Sequence, residues 1–256
     1  MNSSLYNGLN DRQKNMLDFI ADKREIRVAE LKEKYPVTEM TIRRDLEKLE
    51  ETGAVKRTFG GAIFVGKDID LNERVSLFTE EKSKIGSCAA ALIRPGESVF
   101  IDGGTTTLQV AKYLPEGWPI TVVTNSLHVA AECSNKRISV LMLGGMLLEA
   151  TKSLVGPIAV QSMGGMAFDR IFLGATGLTV QHGFCNSNIY EAEIKQQAIR
   201  QASETNIVLD HTKFGSSVLI SFATLAQVDR IISDEKPDEE LDADCQNHSV
   251  EVLVAK

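Results

Sequence analysis

The chain has 256 residues and a mass of 28.1 kDa, room for one large domain or two ordinary ones. Hydrophobic residues make up 43% and charged residues 25%, which excludes collagen-like and disordered classes, and no apolar run approaches the ~20 residues a membrane helix needs. The net charge is −7, but residues 1–65 hold 12 Lys and Arg against 11 Asp and Glu, and the remainder 16 against 24, so the acidity belongs to the second segment and the first can still present a basic face.

Residues 1–10 lack a basic stretch followed by an apolar core, so no secretory signal is expected. Cys88, Cys133, Cys185 and Cys245 form no C-x-x-C pair, which points to reduced thiols in the cytosol and not to a zinc site or a disulfide framework. His128, His182, His211 and His248 are scattered, so neither a metal nor a catalytic triad is expected.

Asn10 with Gln13 reads as a capping box opening a helix over 10–23, with Met16, Leu17, Phe19 and Ile20 at helical spacing. A second helix over 28–35 places Val28, Leu31 and Tyr35 on one face and stops at Pro36. Thr38 caps a third over 39–52, whose Ile42, Leu46 and Leu49 face a core while Thr41, Arg44 and Lys48 lie on another face. Gly53 suits the position after that helix, and two β-rich runs flanking Gly60-Gly61 predict a hairpin over 55–65. Three short helices and a hairpin make a winged helix-turn-helix over residues 1–65, with the helix-turn-helix at about 26–45.

The stretch Val37-Thr38-Glu39-Met40-Thr41-Ile42-Arg43-Arg44-Asp45-Leu46, followed by Gly53, Arg57 and Gly60-Gly61-Ala62, resembles the signature of the DeoR family of bacterial sugar-catabolism regulators. Phe59 stands where that family usually has His, and Thr38 where it has Ser. The resemblance implies double-stranded operator DNA as partner, with Thr38, Glu39, Met40, Thr41, Arg43, Arg44, Lys48 and Arg57 at the interface. Arg43 and Arg44 can pair with guanine or neutralise phosphates, Met40 and Thr41 can touch a thymine methyl or a phosphate, and Lys48 and Arg57 suit phosphate. Glu39 either accepts from cytosine N4 or stabilises the helix N-terminus. Asp45 and Glu47 read as solvated or paired with neighbouring arginines.

Residues 66–83 are polar and charge-mixed and read as a linker. From residue 84 strands and helices alternate: a helix through Ile85 to Ile93, a strand over 98–101, a helix over 106–114, a strand over 120–124, a helix over 127–133 and a strand over 140–143. A helix over 158–163, a strand over 170–173, a long helix over 190–204 and strands over 206–209 and 230–233 follow. The alternation predicts an α/β domain over 84–256 with a largely parallel sheet and a ligand crevice at the carboxyl ends of its strands. Asp102-Gly103-Gly104-Thr105-Thr106-Thr107 follows a strand and opens a helix, a pattern that suits an anion or is simply a tight turn; it is neither a Walker loop nor G-x-G-x-x-G. Asn125-Ser126, Gly144-Gly145, Gly174 to Gly177 and Asp210 to Gly215 end the other strands.

Residues 75–235 resemble the sensor domain of the same family, which is similar in fold to ribose-5-phosphate isomerase. The resemblance implies a phosphorylated sugar or polyol as effector and no cofactor. Gly104, Thr105, Thr106 and Thr107 would hold its phosphate; Asp102, Gly103, Asn125, Ser126, Gly145, Thr176 and Asp210 would line the site, with Lys213 either its charge partner or a surface lysine. Glu191 and Lys195, one turn apart, read either as an i,i+4 pair or as groups facing sugar hydroxyls. Where the isomerases carry Gly-Ala-Asp-Glu this chain has Gly174-Ala175-Thr176-Gly177, so the general base is missing and no enzyme is expected. The family likeness further implies a bacterial cytoplasmic, nucleoid-associated repressor of a sugar or polyol operon, acting as a homodimer or homotetramer.

Overall fold

The computed structural model describes residues 8–23, 25–51, 55–58, 60–64 and 78–256. The chain divides into two compact units, Met1–Leu77 and Phe78–Lys256.

The first unit runs α1 (Asp11–Lys23), β1 (Glu25–Arg27), α2 (Val28–Lys34), α3 (Glu39–Glu51), β2 (Val55–Thr58) and β3 (Gly61–Phe64). Asn10 and Gln13 cap α1 reciprocally, the N–H of each donating to the other's side-chain oxygen at 3.0 Å. Thr38 Oγ1 accepts from the Thr41 N–H at 3.2 Å and starts α3. Met16, Leu17 and Ile20 of α1, Leu31 of α2 and Ile42, Leu46 and Leu49 of α3 close one apolar cluster with Ile26, Val55 and Ala62. The helical stripes read from the sequence are the faces that meet there.

The hairpin of β2 and β3 is present, and β1 adds a third strand antiparallel to β3. Three residues show no periodicity, so β1 is invisible in the sequence. Its presence explains a glycine: a Cβ on Gly61 would lie 1.9 Å from the Ile26 carbonyl oxygen. Gly53 and Phe59 lie outside the described residues. Asp45, expected to be solvated or paired with neighbouring arginines, is buried instead. Arg12 Nε of α1 donates to it at 2.8 Å and Gln13 Nε2 at 2.8 Å, so it pins α1 to α3.

The second unit runs α4 (Thr79–Ala90), β4 (Ser98–Ile101), α5 (Thr105–Tyr113), β5 (Thr121–Thr124), α6 (Leu127–Asn135), β6 (Ser139–Met142), β7 (Met146–Leu148), β8 (Ser153–Val155), α7 (Pro157–Ser162) and β9 (Arg170–Gly174). It continues through β10 (Gly177–Thr179), β11 (Gly183–Asn186), α8 (Ile189–Arg200), β12 (Thr205–Val208), β13 (Ile220–Ala223), β14 (Arg230–Ser233), α9 (Glu239–Asn247) and β15 (Glu251–Val254).

Seven strands form one sheet in the order β15-β14-β12-β9-β4-β5-β6, every neighbouring pair parallel. Apolar clusters cover it on both sides, which is why its strands are continuous hydrophobic runs with little alternation. The chain steps outward from β4 to β5 and β6, then returns to lay β9 on the other flank of β4. The strand order therefore reverses between β4 and β9, the place where open parallel sheets take their ligands.

Two expected boundaries move. The expected linker over 66–83 overlaps α4, whose first turn begins at Thr79; residues 66–77 lie outside the described residues. The helix expected to reach residue 204 ends at Arg200. Phe168 donates to the Gln201 carbonyl and accepts from the Ser203 N–H, so residues 201–203 are drawn into sheet-like pairing before β12.

Candidate functional site

The side chains singled out in the sequence fall into three sets. The first is the outer face of α3 with the hairpin. Thr38, Glu39, Met40, Arg43, Arg44, Lys48 and Arg57 are exposed and Thr41 is half-buried. Met40, at 67% exposure, is a large apolar side chain on the first turn with no core to fill. Thr41 Oγ1 lies 2.9 Å from Thr38 Oγ1, so its hydroxyl is partly committed to the cap.

Most of the cations there already have a carboxylate. Arg43 pairs with Glu39 at 2.8 Å, Lys48 with Glu51 at 2.7 Å, and Arg57 with Glu47 at 2.7 Å and Glu50 at 2.9 Å. Glu50 and Glu47 raise the Arg57 pKa and tie the hairpin to α3. Glu47 is thus paired, as one of its two expected readings had it, with Arg57 of β2. Among the described residues of α3, Arg44 is the basic side chain without an ion pair.

The second set sits at the carboxyl end of the sheet. Asp102 follows β4 directly and is buried. Lys195, from the middle of α8, reaches it with a buried ion pair and donates to the Gly174 carbonyl at 2.8 Å, while the Gly174 N–H donates to Asp102 Oδ2 at 3.3 Å. Lys195 therefore bridges the ends of β4 and β9, the strands flanking the reversal. Burial pushes the Asp102 carboxyl above the usual range, Lys195 pulls it back, and the nearby Glu191 adds to the upward push.

Beside this pair the Gly103 N–H donates to Asn125 Oδ1 at 3.2 Å, and Asn125 Nδ2 donates to the Leu154 carbonyl at 3.2 Å. The β7–β8 hairpin thus folds across the strand ends. A Cβ on Gly103 would lie 3.0 Å from Ser153 Cβ, so the glycine admits that hairpin. Ser153 Oγ donates to Glu191 Oε1 at 3.3 Å and Asn186 Nδ2 to Glu191 Oε2 at 2.9 Å. Thr176 Oγ1 donates to Asn186 Oδ1 at 3.4 Å. Asp102 and Lys195, Gly103 and Asn125, and Thr176 and Glu191, scattered over ninety residues, fall into three adjoining hydrogen-bonded groups.

The i,i+4 pair of Glu191 and Lys195 does not form: both are buried and each turns to other partners. Ser126 acts as the cap of α6, accepting from the Val129 N–H at 3.4 Å. Gly145 has φ 142°, and a Cβ there would lie 2.6 Å from the Val155 carbonyl oxygen, which makes it a packing position under the hairpin.

The start of α5, like those of α4 and α7, lacks a side-chain cap. Side chains of Ser126, Asn188 and Asp238 cap α6, α8 and α9, whereas Gly104 gives α5 no side-chain cap and its first turn carries no acidic residue. Thr107 Oγ1 donates back to the Gly104 carbonyl at 3.1 Å. Thr105 and Thr106 are buried, and their hydroxyls make no hydrogen bond among the described residues. The free N–H groups of that turn and the positive helix end suit an anion.

Asp210 and Lys213 form a third group, after β12. Asp210 caps the turn His211–Lys213 by accepting from the Thr212 N–H at 3.2 Å, and Lys213 Nζ lies 4.0 Å from it. Burial pushes the Asp210 carboxyl up, but Lys213, the Thr212 hydroxyl and Lys82 outweigh it and hold the carboxyl below its ordinary range. Lys82 is buried on the first turns of α4. The sequence reading placed it in the linker, because a buried lysine leaves no mark on an apolar pattern. Ser153 and Asn186 were missed for the same reason. His211, Asp234 and Glu235 bring three candidate metal-ligand atoms together, where no metal was expected; Asp234 is already bonded to His211.

Residues 12–68 match the family described as DeoR-like helix-turn-helix domain, and residues 77–235 the family described as DeoR C terminal sensor domain. The chain is 36% identical to the uncharacterized HTH-type transcriptional regulator YulB of Bacillus subtilis strain 168, with 88% of each chain covered. It is 33% identical to the HTH-type transcriptional repressor GlcR of the same strain over 94% of each chain. It is 32% identical to the HTH-type transcriptional regulator GlpR of Haloferax volcanii over 95% of this chain and 96% of the relative. Among solved structures, ribose 5-phosphate isomerase A of Methanocaldococcus jannaschii superposes with a TM-score of 0.39 at 15% identity, covering 56% of this chain and 55% of that one.

Proposed function

The chain belongs to the DeoR family of HTH-type transcriptional regulators, and on that premise we propose that it represses a sugar or polyol catabolic operon and leaves its operator when a phosphorylated sugar or polyol fills the crevice. The observation that carries the effector reading is the start of α5, an uncapped helix N-terminus with two unengaged threonine hydroxyls at the point where strand order reverses. Glu191, held by Ser153 and Asn186, is placed to accept from hydroxyl groups of the same ligand. Lys195 neutralises Asp102, so that carboxylate does not repel the phosphate.

On the DNA side, α3 lies in the major groove with Met40 against a thymine methyl and Arg44 on guanine or phosphate. Two copies of the winged helix meet the two halves of an operator, which makes the regulator a dimer or tetramer. It works in the cytoplasm, where the chromosome is. Isomerase activity is disfavoured because the end of β9 supplies Gly174-Ala175-Thr176-Gly177 where a general base would be needed.

The test is thermal unfolding of the whole chain against a panel of sugar and polyol phosphates, with inorganic phosphate and the unphosphorylated sugars as controls. A ligand at ~100 times its dissociation constant adds about 2.7 kcal/mol to the native state. A selective shift by one phosphorylated compound supports the reading. A shift by its unphosphorylated form of equal size removes the phosphate from it.

A further inference from the structure

Phe78 is the first residue of the second unit, and its backbone is in the left-handed region, at φ 50° and ψ 44°. A bulky aromatic residue adopts that conformation only when its surroundings hold it there. Two contacts do so. The Phe78 carbonyl accepts from the Lys82 N–H at 3.0 Å, which starts α4. The Phe78 ring meets the His211 ring edge-to-face, with centroids 5.6 Å apart and planes at 85°.

His211 is itself clamped. Its N–H donates to Asp234 Oδ1 at 2.8 Å and its Nδ1 lies 2.6 Å from Asp234 Oδ2, beyond the end of β14. It also belongs to the short turn that Asp210 caps and that ends in Lys213. The imidazole thus stands between the residue where the chain enters the second unit and a turn at the carboxyl end of the sheet.

We propose that Phe78 and His211 form a latch that transmits occupancy of the sheet end to the first turn of α4, where the second unit begins. The proposal rests on the effector reading above. An anion that draws Lys213 away from Asp210 turns the His211–Lys213 segment. The His211 ring then leaves the Phe78 edge, and Phe78 is released from its left-handed backbone.

Hydrogen exchange on the full-length protein tests this in two arms. The first needs no ligand. Phe78→Leu, His211→Gln and the double variant are compared with wild type. Each single change is expected to speed exchange of amides 79–83 about tenfold, and the double change to add nothing further, because both remove the same contact. Exchange in α8 serves as the control for folding. Unchanged exchange at 79–83, or additive effects, overturns the latch.

The second arm adds inorganic phosphate. In wild type, protection at 210–215 is expected with an altered rate at 79–83; in Phe78→Leu the first remains and the second is lost. An equal response at 79–83 in the variant overturns the latch. Protection at neither 103–107 nor 210–215 counts against the anion reading of the crevice, and the first arm then decides the latch by itself.

Discussion

At the scale of single residues, the cations on the exposed face of α3 and the hairpin are not equivalent. To meet a phosphate, Arg43, Lys48 and Arg57 would have to give up a carboxylate, whereas Arg44 would offer its guanidinium without breaking an ion pair among the described residues. Arg44→Ala is therefore expected to weaken binding to DNA selected from a random pool by about 1–3 kcal/mol and to lower the salt slope by about 1. Arg43→Ala is expected to cost less, because it also frees Glu39 from its pair. Titrations at several salt concentrations check both, and an Arg44→Ala protein with the wild-type slope rules out its phosphate contact. His211 gives a pH prediction. Burial lowers its pKa, but Asp234, Glu235 and Asp210 outweigh burial and raise it. A raised pKa means that the imidazolium stabilises the fold fully below its unfolded value of ~6.5, and that this contribution fades as pH rises through the folded value. Denaturation of wild type and Asp234→Asn across pH 5–9 is expected to converge at the alkaline end and to diverge as pH falls. Asp45 shows the limit of reading one residue at a time: its partner Arg12 is 33 positions away, and no local pattern announces it.

At the scale of elements, legibility followed length and amphipathicity. The helices of the first unit and the strands of the parallel sheet bury long stripes or continuous runs, and these appear in the sequence as periodicity. β7, β8 and β10 have three residues each, too few to show any period, while β11 and β13, as long as most strands of the parallel sheet, break their apolar runs with Gly183, Asn186 and Ser221. α9 has its cap in Asp238, yet it buries only Leu241 and Cys245, too thin a stripe to read against its charged remainder. Where an element is short, a glycine can mark it better than a pattern. Gly61 is such a mark, since β1 approaches β3 so closely that any Cβ strikes the Ile26 backbone. Gly61→Ala is expected to detach β1 from the hairpin and destabilise the first unit by at least about 2 kcal/mol, the range for overpacking against a wall that cannot yield. Trp118, the single tryptophan, belongs to the second unit, so its fluorescence transition should stay in place while amide exchange in α1 and α3 accelerates. An unshifted exchange profile in α1 and α3 would mean that β1 moves aside freely.

At the scale of the whole molecule, the sequence pointed to the carboxyl end of the sheet and not to how that end is wired. Small and polar residues after several strands marked the carboxyl end of the sheet. The join that makes the site one object, Lys195 to Asp102 and Gly174, spans 93 residues and depends on α8 crossing the place where strand order reverses. A regulator needs that site and the DNA face to be separable in structure and coupled in energy, typically by 1–3 kcal/mol. The separation can be tested at the start of α5. Thr105→Val with Thr106→Val keeps the buried volume and removes only hydroxyls that bond to nothing among the described residues. Folding and operator affinity are therefore expected to match wild type. Each hydroxyl donated to a charged phosphate contributes about 1.5–3 kcal/mol, so the double variant should bind the effector found in the thermal panel at least tenfold more weakly and require correspondingly more of it to leave DNA. Titrating that compound into the protein–DNA complex measures the shift. If release occurs at the wild-type concentration, the phosphate is held elsewhere on the sheet end, and Lys213 becomes the group to change next. If operator affinity falls as well, the two sites are coupled even without effector, and α5 belongs to the machinery that positions the winged helices.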